Sequence, residues 1–334
     1  MVLTLGGLVV GVVLAPAASR SSSTVSSTTG ALGWLLFLGS SVHVAATSCL
    51  FALPEVRSVA CRKRLVFGSV PLGFIGMVAL LSAAASPSSI DVVLLATFAW
   101  QFWHYQKQNL GMVALGAASH RVPALTANER RAIGSAGAAG VLGLVAHPRL
   151  LGLNLYPPSD PAWVTATALL VASTCYGLTL LARRPPPDRP APFSVLYVLS
   201  LLFWAPMFLF DSPFAAVSGM TIAHGSQYLL LVGMVVTGPG SRSRRFVRAG
   251  LALNVALLVG ALLSWSSHLH RSPGPLRLLF GAYVGVLVAH FIVDGSLWRL
   301  RTSSARSLLG ARAPYLIPRV GSAADGSADG IRFP

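Results

Sequence analysis

Ten apolar runs, most of them about 20 residues long, follow one another along the chain. An α-helix of that length spans the hydrocarbon core of a bilayer, because each residue adds 1.5 Å. Backbone groups in the bilayer must be satisfied internally, so runs of this kind fold as helices. The sequence therefore predicts an all-α fold, a polytopic transmembrane bundle of about ten helices. The runs cover roughly residues 2–18, 31–53, 65–85, 90–118, 132–147, 161–182, 193–211, 214–237, 249–265 and 277–298.

The first run leaves the helix count open. It ends in the small-residue stretch APAAS, which is typical of a signal-peptide cleavage site, but it lacks a basic n-region. A first transmembrane helix is therefore slightly favoured, and cleavage would leave nine helices. We divide the chain into a first hydrophobic segment with a polar linker (1–30), the helical bundle (31–300) and a basic cytoplasmic tail (301–334). The tail is rich in Ser, Gly, Ala and Arg, a composition that predicts disorder.

Basic residues alternate between the loops. Clusters of Lys and Arg follow the second, fourth, sixth, eighth and tenth runs, and the intervening loops are nearly free of them until Arg271 and Arg277. By the positive-inside rule the basic loops and the C-terminus are cytoplasmic, so we expect an integral protein of a bacterial inner membrane. The net charge of +16 accompanies 54% apolar and only 10% charged residues. Membrane orientation explains this charge better than a nucleic-acid partner does, and we predict none.

Four of the eight histidines lie inside apolar runs. They are His43, His104, His224 and His290, on the second, fourth, eighth and tenth runs. These runs share one predicted direction, and each histidine lies about 10 to 14 residues from the outer end, which is near the midplane. Polar groups at that depth are costly unless they are paired, ligated or in contact with water. Because imidazole is the commonest transition-metal ligand, we predict that these four residues bind iron, copper or zinc.

Each of these histidines has a polar neighbour one helical turn later, on the same face. Asp294 is the only acid deep in an apolar run, and it could be a fifth ligand, a hydrogen-bond partner of a ligand or the counter-ion of a lysine. We predict that Asp294 and Gln108 orient ligands or relay protons, with Lys107 and Tyr228 as further catalytic residues. The neighbours are Thr47 for His43, Lys107 and Gln108 for His104, Gln227 and Tyr228 for His224, and Asp294 for His290.

Simpler interpretations stay open at this point. Lys107 and the aromatic residues beside it are also typical of an interfacial helix end, where a lysine reaches the headgroups. A buried pair of Asp294 with Lys107, or with an arginine, would fix helix packing without any metal. A haem held by two of the four histidines is a third possibility.

The scattered intramembrane histidines carry a resemblance to a known family. A multi-pass chain with His43, His104, His224 and His290 on separate helices, and with His224-Gly225 in IAHGSQYL, resembles the Brp/Blh-type β-carotene 15,15′-dioxygenases. The resemblance implies an iron ion bound through membrane histidines and cleavage of β-carotene to retinal.

A metal site at the midplane suits a substrate that enters sideways from the lipid. We therefore expect an iron-dependent membrane oxygenase acting on an apolar lipid or an isoprenoid such as a carotenoid. The aromatic residues near the histidines would line its channel. The alternatives are a metal-free acyl or prenyl transferase with a buried histidine base, a haem-binding protein and a proton-coupled carrier.

Overall fold

The computed structural model describes residues 6–9, 34, 36–210 and 214–317. Within these ranges every regular element is helical and there is no strand, so the predicted all-α fold is confirmed. Most of the first run and the linker after it lie outside the described residues. The candidate signal-peptide cleavage site lies there too. The helices are α1 Leu38–Leu50, α2 Pro54–Arg62, α3 Leu65–Ala84, α4 Pro87–Ser119, α5 Ala127–Ala146, α6 Asp160–Arg183, α7 Ala191–Leu209, α8 Gly219–Thr237, α9 Arg242–Ser267, α10 Gly274–Leu297 and α11 Ser303–Arg312.

Six of the described helices are long and apolar enough to cross a membrane. These are α3 and α6 to α10, and the helix that continues into α8 begins at Ala216. A bent pair, α1 and α2, makes a seventh candidate with an angle of 84° at its break. Pro54 starts α2 after an extended Leu53, and a proline cannot continue the hydrogen-bond ladder of the preceding helix. Several long apolar helices are thus compatible with an integral membrane protein.

The outer surface of the bundle is apolar. On α9 the side chains of Phe246, Leu251 and Leu258 are 79%, 69% and 68% exposed. An apolar surface of this extent is typical of contact with a membrane or a partner, and the bilayer is the simpler explanation for so long a helix.

Glycines allow α10 and α3 to pack closely. A Cβ atom at Gly285 would lie 2.5 Å from the Cα atom of Ile75, and one at Gly281 would lie 2.5 Å from the carbonyl oxygen of Val78. Small residues at such positions are the usual means of close helix packing in membranes. This contact fixes α10, which carries His290, against its neighbour.

An ion pair closes the loop before α5. Thr126 and Glu129 form a capping box, and Arg184 donates to both carboxylate oxygens of Glu129 at 2.6 and 2.8 Å. Burial alone would raise the pKa of Glu129, but hydrogen bonds from Arg184 and Thr126 outweigh it and hold this pKa below its usual range.

The expectation of a disordered tail from residue 301 is wrong for its first part. Residues Ser303–Arg312 form α11, whose N-terminus is capped by the Thr302 side chain. Leu308 and Leu309 are buried in the apolar core, and Arg312 forms a two-pronged ion pair with Glu55 at 3.0 and 2.6 Å. Burying the two leucines stabilises a helix that the Ser- and Arg-rich composition conceals. The tail beyond residue 317 lies outside the described residues.

Candidate metal centre

The four histidines of the apolar runs meet in one cluster inside the bundle. His43 on α1, His224 on α8, His104 on α4 and His290 on α10 form a closed four-membered arrangement. Its successive ring-centroid distances are 4.9, 5.2, 5.3 and 5.1 Å, ending back at His43. Helices from distant parts of the chain therefore bring together the four side chains that the sequence singled out.

The cluster is buried, and most of its ring nitrogens have no hydrogen-bond partner in the described part of the chain. His43, His224 and His290 are 2%, 1% and 3% exposed, and the side chain of His104 is 10% exposed. Their four Nε2 atoms are buried without a hydrogen-bond partner among the described residues. A buried ring nitrogen without a partner is costly whether it carries a proton or a lone pair, so the arrangement favours a bound group at these atoms.

The donor atoms fall into two overlapping groups. His43, His224 and His290 offer ligand atoms within 4.8 Å of one another, and so do His104, His290 and Asp294. For any three atoms this close, one point lies within about 2.8 Å of all of them, whereas a metal–nitrogen bond is about 2.0 to 2.1 Å. A shift of about 0.7 Å per side chain would therefore complete coordination of an ion. His290 belongs to both groups, which makes it the central residue.

Asp294 supplies the one carboxylate of the cluster. Its Oδ2 atom lies 3.8 Å from Nε2 of His104 and 3.6 Å from Nε2 of His290. Because Asp294 follows His290 by four residues, one turn of α10 presents both side chains to the same space. The carboxylate can bind an ion directly together with His104 and His290.

A layer of polar groups lies one turn further along the helices. Thr47 Oγ1 is 2.7 Å from Nδ1 of His290 and 2.8 Å from the hydroxyl of Tyr228. Tyr228 in turn donates to Oδ1 of Asp294 at 2.7 Å. Since the histidine layer and this layer pair the same three helices in the same register, α1, α8 and α10 run in one direction through the site.

These hydrogen bonds fix the tautomer of His290 when Asp294 is ionised. The Tyr228 hydroxyl then donates its hydrogen bond to Asp294. The Thr47 hydroxyl therefore donates to the Tyr228 oxygen and accepts from Nδ1–H of His290. Nε2 of His290 is left with its lone pair facing the cluster. A hydrogen bond at the other ring nitrogen is the usual way in which proteins orient a metal-binding histidine.

Gln108 contacts the backbone of α8, the helix that carries His224. Its amide nitrogen donates to the carbonyl oxygen of His224 and to Oε1 of Gln227, both at 3.0 Å. Gln108 thereby holds α4 against α8 at the level of His224.

Lys107 is not part of the cluster. Its side chain is exposed, and its ammonium lies 4.8 Å from the ring centroid of Trp103. Within the part of the chain that the structure describes, Asp294 forms no ion pair with it. The packing pair of Asp294 with Lys107 is therefore not formed.

Two aromatic contacts and one hydrogen bond were not expected. Tyr105 stacks on the ring of His224 at 3.9 Å, and Phe291 stacks on His104 at 4.6 Å. Each residue directly follows a cluster histidine in sequence, and both are among the aromatic residues expected to line a channel; only their stacking partners were not predicted. Thr47 was expected beside His43, which lies one turn earlier on α1. Its hydroxyl instead contacts His290 of the neighbouring helix α10.

The geometry of the four rings disfavours a haem. Neighbouring rings are about 5 Å apart, which leaves no room for a macrocycle between them. Rings on opposite sides of the cluster are flanked by the other two rings, in the space that the macrocycle would occupy. Imidazole nitrogens and a carboxylate are instead donor types that transition-metal ions accept.

A scan of protein-family models, a search of curated proteins and a search of solved structures each found no match to this chain. The resemblance to the carotene dioxygenases thus stays a prediction from the histidine pattern.

Proposed function

We propose that this chain is an integral metalloenzyme of a bacterial inner membrane that oxidises an apolar lipid or isoprenoid with O₂. The observation that carries the proposal is the buried cluster of four Nε2 atoms that have no hydrogen-bond partner among the described residues and lie beside the carboxylate of Asp294. His43, His104, His224 and His290 would hold the ion, and Asp294 would be a fifth ligand or a close partner. We propose iron as the metal.

The metal would supply one-electron chemistry, which reactions with O₂ require. The residues of the chain have separate tasks. Thr47 holds His290 with its Nε2 lone pair toward the ion, and Tyr228 keeps the carboxylate of Asp294 oriented. The apolar walls exclude water, which strengthens electrostatic interactions in the site and limits side reactions.

An apolar substrate fits the surroundings of the cluster. Tyr105 and Phe291 are buried and stack on two of the histidines, so the space next to the ion is aromatic. His104 has the most exposed side chain of the four. A substrate would approach from the side of α4, and carotenoids or other isoprenoids are suitable on these grounds.

We also propose that α4 and α5 cross the membrane, which with the first apolar run completes ten spans. The 33 residues of α4 extend about 50 Å, longer than the bilayer core. Its hydropathy is lowered by the polar residues of the site, and that of α5 by charges in its first turns. The basic loops favour a cytoplasmic C-terminus.

The test is an activity assay on purified protein loaded with Fe(II). Oxygen uptake and product masses are measured with β-carotene and with a total bacterial lipid extract. We expect O₂ uptake with one of these substrates, lost in His290→Ala and kept in His120→Ala, a histidine whose side chain is exposed in the loop after α4. Lipid conversion without metal, abolished by a single histidine substitution, would instead support a transferase with a histidine base.

A further inference from the structure

Lys107 lies near the middle of the longest described helix. It precedes the end of α4 by 12 residues, or about 18 Å. If the centre of α4 lies at the midplane, the Cα atom of Lys107 is about 6 Å from it, well inside a hydrocarbon core about 30 Å thick. This depth is unusual for an ammonium group.

No carboxylate among the described residues neutralises this lysine. Its one described contact is the ring of Trp103. A charged side chain at membrane depth either extends to the headgroups or meets an opposite charge. Because the side chain is exposed, an external anion can reach it.

The exposed side of α4 passes directly beside the cluster. At 100° per residue, Trp100, Lys107 and Gly111 lie within about 40° of one another around the helix. All three are exposed, Trp100 at 50%, and a Cβ atom at Gly111 would meet no heavy atom within 4 Å. His104 lies at the edge of this strip, within about 60° of Lys107.

The facing helix is also open one turn after its contact with His104. His104 stacks on Phe291 of α10, and Gly295, one turn later, is exposed with no heavy atom near a Cβ position. The side of the bundle where α4 meets α10 thus combines the most exposed histidine of the cluster, an exposed cation and two open glycines.

We propose that Lys107 binds the anionic head of an amphiphile whose chain lies along this strip and passes His104. The proposal rests on the proposed function for its metal site, and it narrows the substrate to a lipid with a carboxylate or phosphate close to the carbon that reacts. Lys107 follows His104 by three residues, so their Cα atoms are about 4.5 Å apart along the helix axis. The first few carbons after the head therefore lie next to the cluster.

The experiment is photocrosslinking of the purified full-length protein in lipid nanodiscs. The probes are palmitic acid with a mid-chain diazirine, its methyl ester, and phosphatidylglycerol carrying the same acyl chain. Peptides from α4 and α10 are quantified by mass spectrometry. Lys107→Gln is compared with Lys63→Gln, which removes the only other lysine of the chain, an exposed residue after α2. The metal content of each preparation is measured in parallel.

We expect the acid to label α4 and α10 and the ester to label them up to about fivefold less, the upper end of the effect of losing one exposed ion pair. Lys107→Gln should show the same loss, Lys63→Gln none, and both should keep the metal content of the wild type. Lysine-dependent labelling by phosphatidylglycerol would identify a phosphate head, and labelling by the acid alone a carboxylate. Competition by unlabelled palmitate, but not by its ester, tests the same point without a variant.

Equal labelling by acid and ester, or unchanged labelling in Lys107→Gln, would overturn the proposal and leave Lys107 as a lysine that extends to the headgroups. If no preparation holds metal but acid labelling still depends on Lys107, the proposed function fails and the lipid site stands.

Discussion

Replacing Thr47 by valine removes one hydroxyl from the second layer of the site and keeps the shape of the side chain. Thr47 is buried, and its hydroxyl holds Nδ1 of His290 at 2.7 Å and Tyr228 at 2.8 Å. Without it, His290 can rotate or change tautomer, and its Nε2 lone pair would no longer be directed at the proposed metal site.

The expected magnitude follows from these two bonds. Each neutral buried hydrogen bond contributes about 1 kcal/mol net, so about 2 kcal/mol of orientation is lost. If all of it acts on the ligand, metal affinity falls about 30-fold, within the range of about 10- to 100-fold found for partners of metal ligands.

The assay is a metal titration of purified protein, with affinity measured by competition against a chelator. Thr237→Val is the matched control, because the Thr237 hydroxyl bonds only carbonyl groups of its own helix. Thr47→Ser restores a hydroxyl and should recover most of the affinity. If Thr47→Val binds metal as tightly as Thr237→Val, the assigned role of Thr47 is refuted.

Two further predictions concern stability, measured as the thermal unfolding midpoint in detergent. The folded-state pKa of Glu129 is lowered, so its stabilising contribution is complete above the unfolded-state pKa of about 4.3 and is lost as the pH falls through the folded-state pKa. Glu129→Gln should therefore lower the unfolding midpoint at pH 7, and the midpoint of this variant should fall less than that of the wild type below about pH 4. An unchanged midpoint at pH 7 would contradict this. Gly285→Ala should lower the midpoint because its Cβ would meet Ile75, whereas Gly233→Ala, where no atom lies within 4 Å, should not; equal midpoints would argue against close packing of α10 on α3.

The sequence was sufficient to predict an all-helical fold and to single out the four histidines that cluster in the structure. Runs of about 20 apolar residues leave few folds open, and a polar residue inside one of them stands out. The helix bounds of α4 and α10 differ from the predicted runs by only a few residues, and both helices start slightly earlier, at Pro87 and just before Pro275, because proline suits the first turn of a helix.

The side-chain contacts between helices could not be predicted from the sequence. Spacing placed Thr47 beside His43 on one helix, but rotation of α1 against α10 decides that its hydroxyl meets His290. The same limit applies to Lys107, which lies one turn from a cluster histidine and yet faces outward. The sequence analysis also missed helix α11. Its local composition is polar, and it is stabilised because Leu308 packs in a core formed by residues that are distant in sequence.

The central claim is that the histidine cluster binds a transition-metal ion, and elemental analysis of the purified protein tests it most directly. We predict about one iron per chain, no Soret band, loss of the metal in His104→Ala and His290→Ala, and full retention in His120→Ala. Absence of stoichiometric metal after anaerobic loading with iron, copper and zinc in turn would contradict the claim. A Soret band would contradict the single-ion site as well.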